Sequence, residues 1–327
     1  MLVAITGAAG HVGANLVRAL IARGATVRVL VHEDQRGIAG LPVEPVFGSI
    51  CDPLAVERLV AGVERVYHLA AKISIEPADR ELLQRVNVGG TQCVVAACRR
   101  AGIRRLVYVS SIHALSSFPV LQAVTEDRPL AGGQGLPGYD ASKALAERVV
   151  RDAIDAGMDA VIVNPTGILG PYDFRPSHLG EVLLDLYHGR LPGLVAGSFD
   201  WVDVREVVHG ILQAADQAPR GARFVLGGHR ASLQALSLLV EQVTGQPRPR
   251  LVAPMWLARA VAPAAVLAAR MTRKRPLFTP ESLYALRHHR EVSHARARQQ
   301  LDYLARPLEV TVRDTFAWFR SAGMLAC

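Results

Sequence analysis

Six apolar runs of strand length, with helical periodicity between most of them, fill the first half of this chain. The runs are Leu2–Thr6, Thr26–Val31, Val43–Phe47, Arg65–Leu69, Arg105–Ser110 and Ala160–Asn164, and helical patterns lie near residues 11–23, 53–61, 79–101 and 140–156. The runs are nearly continuous in apolar residues instead of alternating with polar ones, the pattern of strands covered on both faces. Strand and helix in repetition dictate a parallel, doubly wound α/β sheet. Beyond Pro165 the regularity fades. Gly, Pro and polar residues dominate 165–200, short ordered pieces are expected at Trp201–Val208 and Arg223–Leu226, and the chain from about residue 230 reads as mainly helical. Pro280 is expected in the first turn of one of those helices, with Thr279 capping it.

Immediately after the first run comes Thr6-Gly7-Ala8-Ala9-Gly10-His11-Val12-Gly13, and then a helix. Glycines at such a turn let the backbone approach a pyrophosphate, and the helix that follows offers unpaired N–H groups and a positive dipole end to that anion. A structural turn is the alternative, and the placement between strand and amphipathic helix favours the nucleotide site. The second strand ends Val31-His32-Glu33-Asp34-Gln35-Arg36, where an acid selects NAD and a base selects the 2′-phosphate of NADP. Further on, Tyr139 and Lys143 stand four apart at the start of a helical pattern, one turn from each other on one face. A phenol with a pKa near 10 becomes a usable proton shuttle when an ammonium beside it favours the phenolate. The strand Arg105–Ser110 runs into Ser111-Ile112-His113, which puts hydroxyls at the carboxyl edge of the sheet, where ligands bind in such folds.

The loop spacing Thr-Gly-x-x-Gly-x-x-Gly and the Tyr-x-x-x-Lys pair resemble the extended short-chain dehydrogenases/reductases, closest in pattern to dihydroflavonol-4-reductase-like and 3β-hydroxysteroid-dehydrogenase-like members. The resemblance continues in His68-Leu69-Ala70-Ala71, in Asn87-Val88-Gly89-Gly90-Thr91, and in Asn164-Pro165 to Gly170-Pro171, where Asn164 replaces the family's usual arginine. It extends through Asp200–Glu206 to Trp318-Phe319-Arg320. It implies a Rossmann domain over 1–165, with segments returning near 201–226, and a substrate-binding region from 166–200 and 227–327. It also implies that Ser111, Tyr139 and Lys143 are catalytic, that Asn87 either supports a proton relay or satisfies backbone groups, and that the cofactor lies on Gly7, Ala9, Gly10, His11, Val12 and Gly13. Leu69, Ala70, Ala71, Pro165 and Gly167 would complete its bed, with Ser49 and Ile50 near the adenine. Val31 stands where NAD-specific relatives carry their acid and His32 where NADP-specific relatives carry arginine. With Arg36 in reach of a phosphate the reading is NADP, and Glu33 on a ribose hydroxyl is the route to NAD. Ser111, His113 and Thr166 are candidates for the substrate, and a packed, satisfied histidine is the other reading of His113.

The implied reaction is hydride transfer to a ketone or aldehyde, or from the alcohol, of an apolar molecule. One alternative is a nucleotide-sugar epimerase or dehydratase that retains NAD, with Arg175 or Arg190 for a diphosphate. The other is a sensor that binds NADP without catalysis, which the intact Ser111, Tyr139 and Lys143 disfavour. Relatives dimerise through helices corresponding to 79–101 and 140–156, so a homodimer is possible. The formal charge of +8 raises the question of an acidic partner, but the basic residues are spread along the sequence and all but three of the 37 are arginine, so no nucleic-acid footprint is expected. The four cysteines lack zinc-ligand spacing, no metal is expected, and a reducing, cytoplasmic setting follows. The chain opens directly on a strand, leaving no room for a signal peptide. The most apolar stretch, Trp256 to Met271, is broken by Arg259, Pro263 and Arg270 and reads as a buried helix instead of a bilayer span. Contact with a membrane surface through it and Arg273-Lys274-Arg275 is the alternative.

Overall fold

The computed structural model describes residues 1–74, 76–133, 135–262, 280, 283–284, 286 and 291–325. Thr279 and the end of the Trp256–Met271 stretch lie outside them. Strands β1 (Leu2–Thr6), β2 (Thr26–Val31), β3 (Val43–Phe47), β4 (Arg65–His68), β5 (Arg105–Val109) and β6 (Ala160–Pro165) coincide with the six apolar runs to within a residue or two. A seventh strand, Arg223–Leu226, joins beside β6, and the sheet order is then 3-2-1-4-5-6 followed by this strand, every pair parallel. The crossover helices cover both faces. Helix α1 (His11–Ala22) packs on one face, with Leu16, Val17 and Leu20 against Val3, Ile5, Val27 and Val29. On the other face lie α2 (Pro53–Val60), α3 (Arg80–Leu83), α4 (Gly90–Ala101) and α5 (Gly138–Asp155), whose Val56, Leu59, Val94, Cys98, Ala146 and Val150 meet Ala4, Val66, Leu106 and Ile162. Burial on both sides accounts for the apolar runs of β1, β4, β5 and β6, while the edge strand β3 is largely exposed.

Between α3 and α4 the helix widens into a π turn at Gln84–Gly89, a distortion that shifts the register of the backbone around Asn87. After β6 the chain leaves the main sheet. Strands β7 (Gly167–Leu169), β9 (Ser198–Asp203) and β11 (His229–Ser232) form a small sheet, and β8 (Leu194–Val195) pairs with β12 (Val252–Ala253). Helices α6 (His178–Tyr187), α8 (Leu233–Thr244) and the C-terminal Leu308–Ser321 enclose a second core around Trp201, Phe316 and Phe319. Helix α7 (Val204–Gln217) returns to the main sheet, next to α1, and leads into β10 (Arg223–Leu226). The expectation of a buried helix from Trp256 needs correction for its described part. Residues 255–262 are helical, but only Met255, Ala258 and Ala262 face inward, while Trp256, Leu257 and Val261 are exposed. No helix among the described residues is long and apolar enough to cross a membrane.

Candidate active site

The loop after β1 is shaped by what glycine lacks. Gly7 has φ +75°, and a Cβ there would lie 2.7 Å from the Ala70 nitrogen; one on Gly13 would lie 2.1 Å from the Gly7 carbonyl oxygen. Gly37 likewise admits the Ala9 carbonyl, which a Cβ would meet at 2.6 Å. Gly10 caps α1 with no side chain in attendance, so the N–H groups of His11, Val12 and Gly13 are left for an anion. Thr6 Oγ1 accepts from the Leu69 and Ala70 N–H groups at 3.2 Å each, which fixes the end of β4, and with it Ala71, beside the loop. A backbone cradle that any Cβ would fill, set at an uncapped helix N-terminus, fits a dinucleotide pyrophosphate.

The rim of this cradle is basic and acidic together. His32 is exposed beside Glu33, and Arg36 makes a two-pronged contact with Asp34 at 2.9 and 2.6 Å. The charge of Arg175 also acts on Asp34, whose carboxyl is held below its usual range chiefly by its hydrogen bond to Arg36. Ser49 Oγ accepts from the Cys51 N–H, and buried Ile50 packs on Gly90. Across the cradle, His11 Nε2 and the Asn15 amide both meet the Pro171 carbonyl, at 3.1 and 3.0 Å. Pro165 closes β6 and Gly167 opens β7. Thr166 is differently engaged from the substrate contact that the sequence suggested: its hydroxyl donates to Asp200 Oδ1 at 2.7 Å.

Ser111 lies just past β5 and Tyr139 in the first turn of α5, near enough for the serine hydroxyl to act on the phenol. Burial pushes the Tyr139 phenol up to about 12, and Ser111 works against that rise. Lys143, one turn along, is buried, and its Nζ donates to the Val109 carbonyl at 3.1 Å and lies 3.5 Å from Tyr108 Oη. Burial draws its ammonium down to about 8, with Glu147 opposing. His113 stands edge-on to Tyr139, ring centres 5.5 Å apart, and its Nδ1 is 3.0 Å from Asp140 Oδ1. Burial lowers the His113 imidazole, but the Asp140 carboxylate more than offsets this and holds it above its ordinary value.

Beneath these groups runs a chain of buried hydroxyls. The Thr91 hydroxyl donates to the Asn87 carbonyl at 2.6 Å, so it accepts from His68 Nε2 at 3.0 Å. His68 therefore carries its proton on Nε2 and accepts at Nδ1 from Thr6 Oγ1 at 2.8 Å. The Asn87 side chain holds the Lys72 backbone, accepting from its N–H at 2.7 Å and donating to its carbonyl at 3.0 Å, and also donates to Ser142 Oγ at 2.9 Å. It thereby ties the segment after β4 to α5. His68 is wholly buried and neutral, its imidazole pulled down to about 3 by burial first and the Lys143 charge second. Because the folded value lies below the ordinary 6.5, the unfolded chain takes up this proton first as the pH falls. The stabilising contribution is complete above about 6.5 and lost progressively toward 3, by about 1.4 kcal/mol for each pH unit. Urea unfolding from pH 7 to 4 should show a steeper loss of stability for the wild type than for His68→Gln, which keeps a donor and an acceptor; parallel curves would exclude this role.

A second buried group supports the site from behind. Glu147, fully buried, receives the Arg223 guanidinium at 3.0 Å and the Asn164 amide at 2.8 Å, and the same amide donates to the Ser111 carbonyl at 2.9 Å. The other prong of Arg223 caps the carbonyls of Glu126 and Arg128. Sequence reasoning quoted Thr91 only as the end of a motif, and gave Glu147, Tyr108, Asp140 and Arg223 no role. Only Asp140 carried a local hint, standing next to Tyr139.

The profile of the NAD dependent epimerase/dehydratase family matches residues 3–227. Over 99% of its length the chain is 38% identical to sterol demethylase protein B of Methylococcus capsulatus, covering all of that protein. It is 36% identical to a putative dihydroflavonol 4-reductase of Synechocystis, over 77% of this chain and 75% of the relative. Among solved structures, the dTDP-glucose 4,6-dehydratase DesIV of Streptomyces venezuelae, with NAD bound, superposes with a TM-score of 0.81 at 22% identity over 98% of this chain and 97% of that one, a likeness of fold. With its glycine cradle, doubly wound sheet and family match, the chain belongs to the NAD dependent epimerase/dehydratase family of extended short-chain dehydrogenases/reductases and is an oxidoreductase.

Proposed function

We propose that this enzyme interconverts a secondary alcohol and a ketone on a rigid, apolar, sterol-like molecule, with NADP(H) as its redox partner. The observation that carries the substrate class is the end-to-end likeness to a sterol demethylase protein, which spans the region after residue 165 as well as the nucleotide half. The cofactor, when bound, supplies or accepts the hydride. Gly7, Gly10, Gly13 and the first N–H groups of α1 would hold its pyrophosphate, and Lys143 its nicotinamide ribose. Ser111 would hold the substrate oxygen, and Tyr139 would give or take the proton there. In reduction the Tyr139 hydroxyl donates to the oxygen as it gains charge; in oxidation a phenolate, favoured by the Lys143 ammonium, receives the hydroxyl proton. The residues from 166–200 and 227 onward would form the substrate's apolar bed.

The preference for NADP rests on two guanidinium groups, Arg36 and Arg175, beside the end of β2, where Asp34 already pairs with one of them. The test follows nicotinamide absorbance with NADPH and NADH against a panel of 3-keto and 3-hydroxy sterols, dihydroflavonols and nucleotide sugars. Sterol turnover is expected, faster with NADPH, and the double variant Arg36→Ala/Arg175→Ala should raise the KM for NADPH about tenfold or more, the equivalent of about 1.4 kcal/mol, with that for NADH little changed. Wild-type turnover faster with NADH would refute the cofactor preference, and conversion of a nucleotide sugar without net redox change would refute the alcohol–ketone reading.

A further inference from the structure

The stretch from Gln242 to Pro280 contains seven basic residues and not one Asp or Glu, so almost all of the chain's formal +8 falls within it. The cations are also denser here than elsewhere, three of them consecutive at Arg273-Lys274-Arg275. With the missing acids they create the field. Within the described residues of this stretch, Arg248, Arg250 and Arg259 are exposed, and only Arg248 has an acidic partner, Glu241 at 3.3 Å.

The same surface is apolar. Leu251 is 73% exposed and Trp256 70%, and Val252, Leu257 and Val261 are exposed beside them. Soluble surfaces carry isolated large apolar residues as a matter of course, but here five stand exposed within eleven positions of one segment. The packing explains why they point outward. The short β12 is pinned to β8, with the Leu194 N–H donating to the Leu251 carbonyl at 2.8 Å and that of Ala196 to the Ala253 carbonyl at 3.0 Å. The helical turns at 255–262 then lie with small inner residues, Ala258 and Ala262, against Val195, Leu283 and Leu286. The inward face is thus narrow and satisfied, and the larger side chains remain outside. A helix at a water–lipid boundary has this arrangement: a tryptophan and aliphatic residues to enter the headgroup region, and arginines to meet anionic lipid.

We propose that the Leu251–Val261 face docks this enzyme on anionic lipid bilayers as a peripheral protein. The charge complementarity selects a phospholipid surface with net negative charge, on which the exposed face of residues 251–261 would rest. This inference is independent of the hydride-transfer reading, because none of these residues belongs to the cofactor cradle or the Ser111–Tyr139 site.

Full-length protein would be sedimented with vesicles of phosphatidylglycerol and phosphatidylcholine, and with vesicles of phosphatidylcholine alone. Binding is expected to the anionic vesicles, weakened by salt as screening shortens the reach of the arginines, and at least about tenfold weaker to the neutral ones. The emission of Trp256 should shift to the blue on binding, a change absent from Trp256→Ser. Both Trp256→Ser and Arg250→Glu/Arg259→Glu should lose most of the binding while their melting temperatures and circular dichroism stay at the wild-type values, which shows that they fold. The proposal is overturned if the folded wild type ignores anionic vesicles, or binds both kinds alike at any salt. It is equally overturned if Trp256→Ser instead abolishes a concentration-dependent self-association, since a second copy of the chain would then be what covers the face.

Discussion

Tyr139→Phe should lower kcat by about two to four orders of magnitude, the usual contribution of a positioned proton donor, with cofactor affinity changed by no more than about twofold. The phenyl ring keeps the packing of the first turn of α5, so the variant isolates the proton. Ser111 cannot substitute, because its hydroxyl is a far weaker acid. The Tyr139 phenol, pushed up to about 12 with the site closed by protein alone, is protonated at neutral pH and ready to donate. Working as an acceptor it needs the Lys143 ammonium, which burial has drawn down to about 8. Oxidation in the alkaline range should therefore fade as Lys143 loses its charge. Stopped-flow measurement of single-turnover rates against pH reads both effects. A Phe variant that kept a tenth of the wild-type rate would pass the proton role to the nearest ionisable ring, His113 with its Asp140 partner, 5.5 Å away.

Arg223→Met should cost up to about 3–5 kcal/mol of stability, because it removes the nearer cation of the buried Glu147 carboxylate and leaves it only the longer contact with Arg151 at 3.8 Å. In a protein of this size that corresponds to a fall in Tm of up to roughly 4–7 °C. The loss should be repairable from a neighbouring strand. Asn164 faces the same carboxylate at 2.8 Å, and it occupies the position where the resemblance placed an arginine. In the register of β6 and β10, Asn164 pairs with Val225, two residues beyond Arg223, so the two side chains converge on Glu147 from adjacent strands. Asn164→Arg in the Arg223→Met background should recover more than half of the lost stability in a calorimetric scan. No recovery, or a single variant as stable as the wild type, would show that the guanidinium on β10 does not stand in for one on β6.

That exchange marks the limit of what could be read from the sequence. The doubly wound sheet was legible because strands buried on both faces leave unbroken apolar runs, and the glycine cradle because it follows β1 without a gap. Ser111, Tyr139 and Lys143 were legible because they sit at strand and helix ends whose positions the pattern already gave. The pairing of Glu147 with Arg223 was not, since it depends on β10 returning to the edge beside β6 after an excursion through two smaller sheets. The contacts of Lys143 with Tyr108 and of Thr91 with His68 lie between strands and helices and are encoded by no periodicity. Thr166 looked available for a substrate, and only the approach of β9 reveals Asp200 as its partner. In the 256–271 stretch, high apolar content suggested burial, whereas small alanines take the inner face and leave the tryptophan outside.

The placement of Arg223 has a consequence for modularity. By residue 165 the chain has produced the cradle, the serine, the tyrosine and the lysine, everything a minimal nucleotide-binding enzyme would need. It has also produced a buried carboxylate beneath them whose nearer cation, Arg223 at 3.0 Å, is encoded 76 positions after it, while Arg151 of its own helix stands farther off at 3.8 Å. A fragment cut after β6 would keep only the longer Arg151 contact, and a nascent chain leaving the ribosome lacks the closer one until β10 arrives. The nucleotide half of this enzyme is therefore not a detachable cassette: the excursion that builds the rest of the protein is also what allows the first half to stand.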